Sequence, residues 1–270
     1  MDKFEKSSVI YHDIFGFPLK SSELTKWKVG KQFTISNSQF SIDHKDVFQF
    51  LKGRENTIKQ RLQNEKTSIR KIIIAKKAAT ILSHVPTIKM IAVTGSLAMM
   101  NSSEDGDIDL LIITRRGLMW LSRLLVLMIL FLLDVPVRRS DDSNQKDKLC
   151  LNMWLDESDL VWRKPDRNLY TAHEIAQIIP LFNKAKTYEK FIFSNKWILD
   201  YWPNAVEIGN WKLEIGNSTS TPKTTIFEQI AYKIQLLYMK RKISREVVTP
   251  TRALFHPHDW GKVVLNKLRW

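Results

Sequence analysis

The apolar and polar positions divide the chain into stretches of different period. Residues 2–15 carry Phe4, Val9, Ile10, Ile14 and Phe15 at helical spacing, and Gly16 and Pro18 end that helix. Ser21 or Ser22 is placed to cap a second short helix that carries Leu24 and Trp27. Short strands are expected at 33–35 and 47–51, where β-branched and aromatic residues alternate with polar ones. Helix, turn, helix and hairpin is the order of a winged-helix module, here 1–53. Its second helix, 23–29, is poor in the Arg, Asn and Gln side chains that read base edges, so a packing role is favoured over DNA reading. Residues 54–86 predict one long connecting helix with an apolar stripe of Ile58, Leu62, Ile69, Ile73, Ile74, Ala78 and Ile81, stopped by Pro86.

The pattern then changes. An apolar run, 88–93, ends in Gly95-Ser96, and the helix formers Leu97, Ala98, Met99 and Met100 follow. After a turn-rich stretch, 101–106, Asp107-Ile108-Asp109 opens a second apolar run, 110–113. The predicted order is strand, turn, short helix, loop, strand. Residues two apart on a strand share a face, so Asp107 and Asp109 present two carboxylates side by side. Such a pair repels unless a cation sits between its members, and Mg²⁺, a hard ion that takes oxygen ligands, suits it. Gly95 lets a ligand approach the backbone, Ser96 adds a hydroxyl, and the first amides of a helix attract anions. Phosphate at Gly95 and Ser96 with metal at Asp107 and Asp109 makes a site for a nucleoside triphosphate. Taken singly, Ser96 reads equally well as a helix cap and 104–109 as a solvated acidic turn; the order of the pieces between two strands favours the site.

Residues 118–133 are almost wholly apolar. Ser122 and Arg123 interrupt them, which leaves an unbroken run, 124–133, well short of the ~20 residues a bilayer requires. A helix buried on nearly all sides is expected, and no membrane span. A third strand is expected at 149–155. Beyond 165 the pattern predicts a helical region, 166–270. Tyr170 opens a helix with Thr171 and Glu174 at capping-box spacing, and His173 within reach of a triphosphate; Pro180 breaks the pattern; 188–201 and 227–242 are further helices. Residues 204–223, with Gly209, Gly216 and Pro222, read as a loop or linker. His256-Pro257-His258 is better read as a turn before a last helix, 259–268, than as metal ligands.

The segment 94–114, with Gly95-Ser96, a gap and Asp107-x-Asp109 at a strand start, resembles the signature of the DNA polymerase β-like nucleotidyltransferase superfamily. The stretches 11–19, 51–55, 149–154, 170–174, 195–197 and 255–258 resemble a bacterial branch of it, the nucleotidyltransferase domain-containing proteins. The resemblance implies an α+β fold. A catalytic domain with a small mixed sheet, 87–165, would lie between the winged-helix-like N-terminal module and the helical C-terminal region. It also implies a triphosphate site and Mg²⁺, and it names no acceptor. Members of the superfamily carry a third carboxylate on the third strand, and the matching position here is Asn152. Asn coordinates a metal through its carbonyl oxygen but cannot act as a base. Asp156 shares the face of Asn152 farther along, and Asp141 and Asp142 are loop candidates for the missing carboxylate.

Composition adjusts this picture little, and charge adjusts it more. An apolar content of 44% permits an ordinary core, and the lone Cys150 excludes an internal disulfide framework and fits a reducing, cytoplasmic compartment. The first residues form no apolar signal core. The formal net charge of +14 is concentrated in 51–80 and 221–270, which points to an RNA, protein or other anionic acceptor on those segments. The expected activity is Mg²⁺-dependent transfer of a nucleoside monophosphate from a nucleoside triphosphate. The alternatives are a catalytically weak or inactive transferase fold that binds nucleotide or nucleic acid, and one half of a toxin–antitoxin-like pair whose acceptor is another protein or a tRNA. Either way Asp107, Asp109, Asn152, Gly95 and Ser96 form the expected site.

Overall fold

In the computed structural model, residues 1–31, 40–139, 142–209, 224–240, 246–255 and 260–268 are described. Among them are ten α-helices and nine strands in two sheets. The expected strand at 33–35, Asp141, the stretch 210–223 and the His256/His258 pair lie outside the described residues.

The N-terminal part opens with α1 (Lys3–Asp13), whose first turn is closed by a capping box between Asp2 and Glu5. The strands β1 (Leu19–Lys20), β2 (Ile42–Lys45) and β3 (Phe48–Leu51) form a three-stranded antiparallel sheet in the order β1-β3-β2, with α2 (Ser21–Lys26) between the first two. The long helix α3 (Asn56–Leu82) follows. Its existence matches the prediction, but its buried face does not. Leu62, Ile69 and Ile73 are exposed, and the buried positions are Thr57, Arg61, Asn64, Thr67, Ser68, Lys71, Ala75, Ala78, Ala79 and Leu82. Helical periodicity is obeyed, but on polar residues over the first four turns, because each has a partner. Arg61 pairs with Glu23 through two bonds of 2.7 and 2.8 Å. Asn64 donates to Asn101, Ser68 accepts from the Ser102 amide, and Lys71 donates to the Gly106 carbonyl.

The larger sheet holds β4 (Ile88–Val93), β5 (Ile108–Thr114), β6 (Leu149–Asp156), β7 (Ile179–Asn183), β8 (Val247–Val248) and β9 (Arg252–Leu254) in the order β7-β4-β5-β6-β9-β8. β5 and β6 run parallel and the remaining pairs are antiparallel. The region beyond 165, expected to be wholly helical, therefore contributes three of the six strands. Pro180 obscured β7: it stands at a register irregularity on the sheet's edge, where its missing N–H costs no ladder bond.

The two sheet faces are both covered. Met90, Ala92, Leu111 and Ile113 pack with Val9, Ile10 and Tyr11 of α1. The same layer contains α6 (Leu169–Ala176), α7 (Thr187–Ser194), α8 (Ile198–Tyr201) and α10 (Trp260–Leu268). Ile91, Val93, Leu110 and Ile112 pack with the apolar end of α3 and with α5 (Met119–Leu132) and α9 (Ile226–Met239). The single helix expected over 188–201 is broken into α7 and α8 at Asn195. That buried side chain accepts from the Trp162 amide and donates to the carbonyls of Leu160 and Phe191. α5 is not buried all round: Leu124, Met128, Phe131 and Leu132 are exposed, because α9 covers only one side. Its N-terminus is capped from another helix, Glu228 accepting from the Trp120 and Leu121 amides at 2.7 and 2.8 Å. No described helix is long and apolar enough to cross a membrane.

Candidate functional site

β4, a tight turn and β5 bring the predicted residues together. The Thr94 amide donates to the Asp109 carbonyl, so the residue after it, Gly95, lies against the Asp109 side chain. Gly95 has φ +61°, and a Cβ there would sit 2.7 Å from Asp109 Oδ2. Both conditions call for glycine: the left-handed backbone, and the absence of a side chain where the carboxylate presses on the turn. The helix that follows, α4 (Gly95–Ala98), is a single turn of four residues. It offers little of a macrodipole, so the expected pull of a helix start on phosphate reduces to an open backbone at Gly95 and the exposed hydroxyl of Ser96.

Asp107 and Asp109 point to one side of the sheet, opposite the buried Ile108 and Leu110. On the adjacent parallel strand, Cys150 is in register with Asp109, and Asn152 Nδ2 donates to Asp109 Oδ1 at 2.7 Å. Ligand atoms of Asp107, Asp109 and Cys150 all lie within 4.8 Å of one another. Arg138, whose backbone bonds the first residue of β6, Leu149, donates from Nη1 to Asp107 Oδ2 at 2.6 Å. Burial, and then the charge of Asp107, hold the Asp109 carboxyl above its ordinary range; the second, smaller cause is the repulsion expected of the pair. Burial and the two carboxylates push the Cys150 thiol up too, so it stays protonated and is a poor partner for a hard cation. The oxygens fit one better. Asn152 is 9% exposed, and its Oδ1 is buried with no hydrogen-bond partner. A buried carbonyl oxygen left unpaired beside two carboxylates is what an oxygen-ligated cation would satisfy.

One carboxylate in this neighbourhood was missed by sequence reasoning. Glu174 was assigned to a capping box with Thr171, but the cap of α6 is Asn168, whose side chain accepts from the Thr171 amide at 3.0 Å. Glu174 instead faces the site. Gln177 Nε2 donates to Glu174 Oε1 at 2.8 Å and to the Gly95 carbonyl at 3.3 Å. Burial, followed by the charge of Asp109, raises the Glu174 carboxyl to about 8. Tyr170 belongs to the same group, its phenol raised by burial and by Glu174 and Asp109. The sequence signal was slight: Glu174, itself only half-buried, stands among Ala172, Ile175 and Ala176, which are buried.

Other candidates fall outside. His173 does not approach the turn; it is buried in aromatic core, with Nε2 3.2 Å from His12 Nε2. Asp156 is buried at the far end of β6, accepting from Gly117 and Ser158. Asp142 pairs with Lys148. The basic segments are partly consumed by the fold: Arg54, Arg61, Arg70 and Lys71 pair with acidic residues of this chain, and Arg252 is buried against Asp159. Lys52, Lys59, Lys66, Lys76 and Lys77 remain exposed. A cleft of about 610 Å³, lined by Trp27, Met99 and Tyr188 among others, meets the carboxylate cluster only at Gln177.

No family model matches the sequence, and no curated protein does. Among solved structures, the crystal structure of a toxin–antitoxin with AMP-PNP aligns over 48% of this chain and 88% of its own, at 15% identity and a TM-score of 0.26. Similarity that slight establishes neither fold nor function, so the class of the protein rests on the geometry of the site.

Proposed function

We propose that this chain is a Mg²⁺-dependent nucleotidyltransferase. It would move a nucleoside monophosphate from a nucleoside triphosphate to an acceptor, releasing pyrophosphate. The observation that carries this reading is the unpaired Oδ1 of Asn152 beside the Asp107/Asp109 pair, opposite a glycine turn. Asp107, Asp109 and the Asn152 carbonyl would hold magnesium, which supplies positive charge to the entering and leaving oxygens of an in-line displacement. Gly95 leaves room for the triphosphate to lie against the backbone, and Ser96 donates a hydroxyl to it. The acceptor hydroxyl gives its proton to the ionised form of Glu174, a form that fills only as the pH rises toward about 8, so transfer should rise over that range. The hydroxyl oxygen attacks the α-phosphorus, and the bond from that phosphorus to the bridging oxygen breaks. Asn152 cannot take the proton, so the task is given to Glu174 for its place near Asp109 and, through Gln177, beside the Gly95 turn.

The test is transfer from α-³²P-labelled nucleoside triphosphates to a cell lysate in Mg²⁺, alongside Mg²⁺-dependent triphosphate binding. Asp107→Ala with Asp109→Ala is expected to abolish both while the protein stays folded. Unchanged binding in that variant would sink the assignment. A second reading is favoured by Asn152 itself: a protein that binds nucleotide or nucleic acid without turnover. Triphosphate binding without transfer to any lysate fraction would support it.

A further inference from the structure

Arg138 belongs to neither basic segment singled out by the sequence. Its backbone is fixed. Val137 bridges to Leu149 at the start of β6, the Arg138 amide donates to the Leu149 carbonyl at 2.9 Å, and the Leu149 amide donates to Pro136 at 2.9 Å. Its side chain is 31% exposed and has solvent to move into. In the free protein the guanidinium lies 2.6 Å from Asp107 Oδ2 and 3.8 Å from Cys150 Sγ. Asp107 and Cys150 are two of the three residues whose ligand atoms converge within 4.8 Å. A guanidinium and a divalent cation therefore compete for one carboxylate. They repel at such separations, so binding of the second favours departure of the first.

We propose that Arg138 holds the cation's place in the free protein and, when the divalent cation enters, releases Asp107 and binds the phosphates that arrive with it. The second half rests on the nucleotidyltransferase reading; the first half does not. The guanidinium is always charged, and its planar fork of N–H donors matches phosphate oxygens through two parallel bonds. Without this exchange, metal entry would leave an arginine stripped of its carboxylate partner. With it, the same side chain balances the carboxylate pair before binding and the phosphates afterwards. A purely structural ion pair would instead keep Arg138 on Asp107 in both states.

Two titrations decide the point. The first follows Mn²⁺ alone by electron paramagnetic resonance in the intact protein, in Arg138→Gln and in Arg139→Gln. Arg139 is exposed and makes no bond to either site carboxylate, so its substitution removes the same charge one residue away. Arg138→Gln is expected to bind Mn²⁺ about tenfold tighter, the size of one charge-assisted hydrogen bond, and Arg139→Gln to match the intact protein. The second measures inorganic tripolyphosphate binding in saturating Mg²⁺ by calorimetry, a probe that does not depend on base preference. Arg138→Gln is expected to bind it at least about tenfold more weakly. Mn²⁺ affinity that is unchanged, or that rises equally in both variants, overturns the place-holding role. Tighter Mn²⁺ with unchanged tripolyphosphate overturns the move to phosphate. If the intact protein binds Mn²⁺ but no tripolyphosphate, the nucleotidyltransferase reading fails, and the Mn²⁺ arm still decides the first half. Arg138→Lys keeps the charge and serves if Arg138→Gln does not fold. Its Mn²⁺ affinity should stay near that of the intact protein while tripolyphosphate binding weakens.

Discussion

Mild acid should loosen the N-terminal helices from the sheet, through a buried histidine pair. His12 on α1 and His173 on α6 are both buried, with Nε2 atoms 3.2 Å apart among the rings of Tyr11, Trp27 and Trp202. His12 Nδ1 faces the Ser8 carbonyl at 2.8 Å; a carbonyl only accepts, so Nδ1 carries the proton and Nε2 of the neutral ring accepts from His173. Protonating His12 would set N–H against N–H in a dry pocket. Burial is the main cause that lowers His12 from 6.5 to about 4, with Glu23 opposing and Arg61 assisting, and burial together with His12 lowers His173 well below its usual value. The unfolded chain therefore takes up these protons first. Their contribution is fully present above about pH 6.5 and is lost as the pH falls toward 4. The shift of His12 corresponds to about 3 kcal/mol, at ~1.4 kcal/mol per pH unit, a large part of the ~5–15 kcal/mol that holds a domain together. Burial raises Asp109 and Glu174, and these act in the opposite sense, binding protons first in the folded state. The informative quantity is thus a difference of slopes. Urea unfolding free energies are measured from about pH 7 to about pH 4.5 in the intact protein and in His12→Gln. The slope should be shallower in the variant by up to ~1.4 kcal/mol per pH unit, whatever its overall stability. Equal slopes would show that His12 titrates alike in both states, and would refute the buried neutral pair.

Gly95→Ala should leave the circular dichroism spectrum intact yet weaken Mg²⁺–triphosphate binding at least about tenfold, because a left-handed alanine costs ~1 kcal/mol and its Cβ displaces Asp109. Binding at the original affinity would show that the close approach of turn and carboxylate has no bearing on the ligand. Glu228→Ala should cost about 1 to 3 kcal/mol in urea unfolding, since it leaves one buried and one part-buried amide of α5 without an acceptor. A loss below about 0.5 kcal/mol would mean that α5 recruits another cap.

The strands of the site were legible for a simple reason. The runs 88–93, 110–113 and 149–155 are apolar but for Lys89 and Asn152 and bounded by turn residues, so composition and length identify strands buried on both faces. Gly95 was legible because an isolated glycine between such runs marks a close approach. Failures came where tertiary partners override the local signal. β8 and β9 have two and three residues, too few to show a period. Glu174 was hidden by a chance spacing to Thr171, and Arg138 by lying in a polar stretch that looks like any loop. The buried face of α3 was misread because apolarity was taken as the mark of burial, whereas a polar side chain with a fixed partner is buried just as stably.

That misreading bears on the site. The partners of the polar stripe of α3 are not scattered: Asn64 bonds Asn101, Thr67 bonds Glu104, Ser68 bonds the Ser102 amide, and Lys71 bonds the Gly106 carbonyl. All lie in the six residues that lead into Asp107. An apolar stripe at these positions could bury area, but it could not fix a loop whose backbone offers only donors and acceptors. A loop closed by its own turns alone would leave Asp107 free to swing away from Asp109 under their mutual repulsion. The helix thus uses its burial to hold that loop in one register. Lys71 shows the cost of this arrangement: its ammonium has no exposed surface, and burial lowers its pKa against the pull of Asp147. A cation kept there despite desolvation fixes the backbone of Gly106, one residue before Asp107, and lies near Asp147, touching neither site carboxylate.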